Sequence, residues 1–417
     1  MSTNLEQNQE AIEKFTKFLY DYESQETITD AEVVKTIATN RDIILDMAFS
    51  DDNDPIHMKA FVLLCNISPA LRQEFLKQDR IFIKITKVLQ NKPVPDILIS
   101  RIATVLQSFI FGIPKSSTDS LGLLVFFIPY LEFQTVFDLF SSITSPSFQI
   151  PQFTEVLSNL KFDQTLLNEL KNNPSPSKKG HIFYIIRNCC KNTSFLDKFR
   201  TQVVIDTLND QIPCEDDYSN GNLWQAISAI CEENTFQMME AILEKSFKVL
   251  SEPVLQIHMA HTCMWDFVGK MLIFKKDPNF GGNYQLHHQI ITLLVQFPNN
   301  SNLIGALFRF IRNGLQVKGY AKKIIEDFIP FMVTTIEEDE KNTASASCRM
   351  FVGDMTVLRR IHPEVNKALK NIEIFNNIKE KFVDKYFETL SEEYGGHAPP
   401  PQNNGVITLQ CLMHLTD

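Results

Sequence analysis

Five apolar positions spaced i, i+3, i+4, i+7 and i+8 recur along this chain at nearly constant intervals, and that recurrence constrains its fold more than any single motif. The pattern falls on Ile182, Ile185, Ile186, Cys189 and Cys190 in the run "KKGHIFYIIRNCCKN". Such spacing gathers side chains on one face of an α-helix. It returns at Ile102, Val105, Leu106, Phe109 and Ile110, at Leu223, Ala226, Ile227, Ile230 and Cys231, and at Met264, Phe267, Val268, Met271 and Leu272. Looser matches begin at Ala60 and Leu307. The starts, 60, 102, 182, 223, 264 and 307, lie 42, 80, 41, 41 and 43 residues apart, one or two steps of about forty. A shorter helix over "EFQTVFDLFSSIT" occupies the gap near residue 140. Two or three helices per step, stacked so that neighbours bury a continuous core, is the armadillo or HEAT arrangement. The expectation is an all-α chain, an armadillo/HEAT-like α-solenoid over residues 1–394.

The punctuation agrees. Glycine is scarce, at 14 of 417 residues, and short proline-bearing or polar breaks such as "NKPVPD", "TSPSFQIP", "NNPSPSKKG" and "KKDPNFGGN" separate the periodic runs. About fifteen to twenty helices with short connections follow from this spacing. The charged helices of "PEVNKALKNIEIFNNIKEKFVDKYFETLSEEYG" are expected to cap the stack, and residues 395–417, opening with "GGHAPPPQNNG", to form a flexible tail.

Charge narrows the function. The net charge is -10, and residues 1–60 alone carry 13 Asp and Glu against 5 Lys and Arg, which disfavours non-specific nucleic-acid binding. Two segments run the other way. Residues 171–200 hold seven Lys and Arg with one Asp, and residues 309–323 hold five with no acid, so an acidic partner is the natural counterpart. The apolar run "LGLLVFFIPYL" is too short to cross a bilayer and contains Pro129, and "MSTNLEQNQEAIEKF" lacks a signal-peptide profile. A soluble protein is expected, cytoplasmic and also nuclear, with no membrane insertion and monomeric before it binds a partner. The eight cysteines include no C-x-x-C pair, and several sit among aliphatic residues as reduced core thiols do.

Candidate chemistry is sparse. No phosphate loop, H-E-x-x-H, G-x-S-x-G or dinucleotide fingerprint is present. The best metal candidate is "HMAHTC", where His258 and His261 share a helix face and Cys263 follows, but zinc needs a further convergent ligand. Cys189 or Cys190 as a nucleophile would need an accessible, electropositive setting, whereas helical phase places both with the isoleucines. The reading is therefore a non-enzyme without a cofactor, with a helical metalloprotein using His258, His261 and Cys263 as the alternative from another class.

Beside each apolar face runs a polar stripe: Lys59 and Asn66; Arg101, Thr104 and Ser108; His181, Tyr184, Asn188 and Lys191; Asn222, Gln225 and Glu232; Asp266 and Lys270; Arg309, Asn313 and Gln316. In a helical solenoid the last helix of successive repeats lines one surface, so these side chains are expected to form a ladder for a protein partner. Arg101, Ser108, Tyr184, Asn188, Lys191 and Gln225 are the partner-binding candidates.

The order of segments resembles a known family. "DAEVVKTIATNRDIILDMAFS", "HMKAFVLLCNISPALRQEFLKQDRIFIKITKVL", "ISRIATVLQSFIFG" and, most closely, the stretch from Phe137 to Asn192 are similar to successive helices of the SAPS family, regulatory subunits of protein phosphatase 6 type enzymes. The resemblance covers about residues 30–330. It implies a non-catalytic scaffold that holds a serine/threonine protein phosphatase catalytic subunit and directs it to substrates. A transport or cytoskeletal adaptor of the same fold, taking an extended peptide, is the alternative among binding proteins.

Overall fold

The helices of one series begin at Pro55, Asp96, Gln134, Pro176, Asp217, Met259, Ser301 and Thr343, in steps of 41, 38, 42, 41, 42, 42 and 42 residues. The computed structural model describes residues 13–21, 31–52, 54–90, 93–113, 119–147, 151–338, 341–361, 363–370 and 372–378. Helices dominate, and no strand occurs among these residues. The expected tail, 395–417, lies outside them, as does the second half of the expected capping helices.

Local chemistry sets the starts. Asp54, Ser175, Asp216 and Asn300 each stand just before a helix and accept a hydrogen bond from a backbone N–H of its first turn. Asn342 does the same for the N–H of Ser345, at 2.8 Å. These donors have no partner inside a helix, so an Asp, Ser or Asn at this position fixes where the helix begins. Pro55 and Pro176 follow their caps directly, where a missing N–H loses nothing.

The chain divides into two compact units, one of residues 1–277 with 281–286 and one of 278–280 with 287–417. In the first, α1 (Pro55–Cys65), α2 (Asp96–Phe109), α3 (Gln134–Thr144), α4 (Pro176–Lys191), α5 (Asp217–Ile230) and α6 (Met259–Lys275) pack each against the next. The apolar template residues of α2, α4, α5 and α6 are all buried, and the five of α4 are wholly so. The helix at Gln134–Thr144 is present and in step, shorter than its neighbours as its sequence implies. The run "LGLLVFFIPYL" lies in a 3₁₀ helix, Asp119–Tyr130, whose Leu121, Leu124, Phe127 and Ile128 are buried against the Arg80–Gln90, Pro151–Asn159 and Phe162–Lys171 helices. None of the described helices is long and apolar enough to cross a membrane.

The second unit contains α7 (Leu286–Gln296) from His287 onward, α8 (Ser301–Leu315), α9 (Tyr320–Glu337) and α10 (Thr343–Ile361). Helices Pro363–Lys370 and Glu373–Ile378 close against α9. Tyr320 is buried at the start of α9 and donates to the carbonyl of Phe280 at 3.3 Å. His287 packs between Phe328 and Tyr320, with Nδ1 2.6 Å from Asp327 and Nε2 2.8 Å from the Tyr320 hydroxyl. "HH" at 287–288 therefore places one ring in a core network rather than in a metal site.

Candidate functional site

Bonds between successive repeats explain much of the polar stripe. An α-helix leaves the carbonyls of its last turn without intrahelical donors. Here the next repeat supplies them. Ser108 on α2 donates to Leu64 of α1 at 2.9 Å, Asn188 on α4 reaches Ser141 of α3 at 3.5 Å, and Asn192 reaches Ser145 at 2.9 Å. Lys270 on α6 donates to Ser228 in the last turn of α5, also at 2.9 Å. A cation there also meets the negative end of the helix dipole.

This corrects the expected ladder. Arg101 is 4% exposed, and its guanidinium holds the carbonyls of Ser50 and Asp52 and the Met58 sulfur while facing the Phe61 ring. Asn188 is 7% exposed, and the Ser108 hydroxyl is engaged twice, with Leu64 and Val105. These three tie repeats together, and Arg101 and Asn188 are buried rather than part of an open stripe. Of the six candidates, Ser108, Tyr184 and Gln225 are half-exposed and Lys191 is exposed.

Two glycines shape the surface around them. A Cβ at Gly180 would lie 2.3 Å from the Tyr218 ring, and one at Gly221 would lie 3.3 Å from Met259. Both pairs are one repeat apart, 41 residues, so the start of α5 seats Tyr218 on α4 as the start of α6 seats Met259 on α5. Tyr218 and Met259 nonetheless keep 48% and 57% of their area exposed. His181 stacks on Phe137 at 4.1 Å and meets Tyr218 edge-on at 5.9 Å, while its Nδ1 pairs with the Leu131 carbonyl. Tyr184 lies edge-on to Phe137 at 5.1 Å, and the Arg187 guanidinium lies over its ring at 5.5 Å. The result is an aromatic strip of Phe137, Tyr184 and Tyr218. Helical periodicity alone missed Phe137, Tyr218 and Met259; the usable signal was the recurrence of Gly180 at Gly221 together with that of Tyr218 at Met259.

The other end of the surface is cationic. Partial burial, then repulsion from Arg187 and Lys270, holds the Lys191 ammonium below the ordinary lysine pKa. Glu232 is shared, at 4.0 Å from Lys270 and 3.8 Å from Arg200. Neither Arg187 nor Lys191 pairs with a carboxylate among the described residues.

The alternatives in the sequence resolve differently. His258 pairs with Asp217 at 2.9 Å, and the His261 ring accepts the backbone N–H of His258 at 3.1 Å, capping α6. Burial, then the neighbouring His258, pushes the His261 pKa down. Among the described residues no three His, Cys, Asp or Glu side chains are grouped to hold a metal ion, so His258, His261 and Cys263 do not form a ligand set. Cys189 and Cys190 are fully buried; burial raises the Cys190 thiol to about 12 and that of Cys189 well above the usual value, the opposite of an activated nucleophile.

No family model and no curated protein matches the sequence. Among solved structures, yeast importin-beta (Kap95p) is similar in fold, with a TM-score of 0.54 at 14% identity over 91% of this chain. This chain is an all-α HEAT/armadillo-like solenoid. It spans 46% of the importin-beta chain, so the likeness concerns how helices stack and not the whole of that protein. The chain is a helical-repeat protein.

Proposed function

We propose that this chain is a non-catalytic scaffold that binds a protein partner on the surface formed by α3 to α6. The observation that carries the reading is the contrast within one stripe. Arg101, Ser108 and Asn188 are engaged between repeats, while Tyr184, Arg187, Lys191 and Tyr218 keep exposed area on one surface. Exposed aromatic and arginine side chains are the types that anchor interfaces.

For the partner, the resemblance of Phe137 to Asn192 to the SAPS family supports a protein phosphatase 6 type catalytic subunit, which the chain would direct to substrates. The fold shared with importin-beta favours a second reading, a transport adaptor of the same architecture. One solenoid serves many partners, so the site and not the fold decides between them. The test is retention of a purified phosphatase 6 type catalytic subunit by the immobilised full-length chain, compared with Lys191→Glu and with Lys248→Glu on the Glu240–Ser251 helix. We expect retention by wild type and Lys248→Glu, and loss on Lys191→Glu. No retention by wild type rejects the phosphatase reading; equal retention by all three rejects the surface.

A further inference from the structure

We infer that the surface from Tyr184 to Lys191 binds an extended segment of a protein partner carrying one aromatic side chain and, about three residues away, two adjacent carboxylates. This rests on the scaffold reading and adds the chemistry of what is recognised.

The spacing comes from the helix. Tyr184 and Lys191 are seven residues apart on α4, about 10 Å at the α-helical rise. An extended chain covers that distance in about three residues. At the aromatic end, Phe137, Tyr184 and Tyr218 come from three successive repeats and offer ring faces and edges to a further ring. Met259 continues the strip on α5, where its sulfur lies 3.4 Å from the Gln225 amide, a flexible contact that can adapt to a ligand.

The number of carboxylates comes from the charges. Four cations, Arg187, Lys191, Arg200 and Lys270, gather at the C-terminal ends of α4 and α5. Arg200 donates to the Cys190 carbonyl and Lys270 to that of Ser228, and Glu232 lies near both. Arg187 and Lys191 are left with charge and donors in hand. They are four residues apart on one helix, neighbours on its surface. Beside partial burial, repulsion from Arg187 and Lys270 weighs on the Lys191 ammonium, and an arriving anion relieves that repulsion. Two adjacent carboxylates satisfy both, the guanidinium fork taking one in a bidentate pair. A nucleic acid fits poorly, because a phosphate backbone needs a longer run of cations than this isolated group on a chain of net charge -10 provides.

The probe is a fluorescein-labelled peptide, Gly-Ser-Phe-Gly-Ser-Glu-Glu-Gly-Ser, titrated with the full-length chain and read by fluorescence anisotropy. Wild type is expected to bind saturably, with affinity falling as salt rises. Replacing the Glu pair with Gln-Gln, or Phe with Ala, is expected to weaken binding at least about tenfold, and neither change touches the protein's own folding. Arg187→Gln with Lys191→Gln should match the Gln-Gln peptide in its loss, while Lys248→Gln should bind as wild type does. Circular dichroism confirms that each variant is folded, and Lys191→Gln alone serves if the double variant is not. The inference is overturned if wild type shows no saturable binding, if the Gln-Gln peptide binds equally, or if Lys248→Gln loses as much as the double variant. A peptide with phosphoserine in place of the Glu pair that binds tenfold tighter overturns it too, in favour of a phosphate reader. If the phosphatase subunit is retained but the peptide is not bound, this inference alone fails. If the peptide binds but no phosphatase is retained, the assignment of the partner fails and the surface stands.

Discussion

Single residues decide how closely the repeats approach. A methyl group at Gly180 would meet the Tyr218 ring at 2.3 Å, whereas at Gly221 it would meet the flexible Met259 at 3.3 Å. Alanine is worth roughly 0.5–1 kcal/mol more than glycine inside a helix, and overpacking costs roughly 1–3 kcal/mol. Gly221→Ala should therefore be neutral or slightly stabilising, and Gly180→Ala destabilising by about 1–2 kcal/mol by the same balance. Adding Tyr218→Ala to Gly180→Ala should recover most of that loss, which denaturant titration of the four-member cycle will measure. The buried thiols give a second test. Burial raises Cys190, Cys231 and Cys348 to about 12, so the folded state keeps their protons where the unfolded chain releases them. Their contribution is whole below pH 9, the ordinary thiol value, and is lost as pH climbs through 9 toward 12. The melting temperature should fall over that window, and less steeply in Cys190→Ala. The place of Cys190 and Cys231 was legible, because helical phase alone puts them on the apolar face. The role of Asn188 was not, since phase gives a direction around the helix and says nothing of which carbonyl waits there.

At the scale of the helix, starts were easier to read than ends. Ser175, Asp216 and Asn300 are side-chain caps written in the local sequence, next to breaks such as "NNPSPSKKG". The ends of α1, α3 and α5 depend on Ser108, Asn188, Asn192 and Lys270, forty or more residues further on, and no local window contains both partners. This makes Asn188 a stability position. Asn188→Asp would place a carboxylate opposite the Ser141 carbonyl at a nearly closed site, removing a donor and adding a desolvated charge. The expected loss is roughly 1–3 kcal/mol or more, seen as a lowered melting temperature at neutral pH that partly recovers in mild acid as the new carboxyl protonates. Lys191→Gln, at the exposed next turn, should stay within about 0.5 kcal/mol of wild type.

At the scale of the whole chain, the forty-residue period was legible because every repeat needs the same buried face. The division into two units was not, because the period of helix starts runs on through 259, 301 and 343 without a break. The tryptophans offer a way to see it. Trp224 and Trp265 are both buried in the first unit, and the sequence has no other, so selectively excited tryptophan fluorescence reports on that unit alone. Far-ultraviolet circular dichroism reports on helices of both. Urea unfolding followed by the two probes should give transitions with different midpoints, whereas superimposable curves would mean that the units unfold as one. The shared helix ends also give the stack a direction. In each such pair along α1 to α6 the donor lies later in the chain than the carbonyl it satisfies. On the ribosome, where the chain emerges amino end first, the finished ends of α1, α3 and α5 thus hold open carbonyls until about forty more residues have followed, each waiting for the repeat that comes after it.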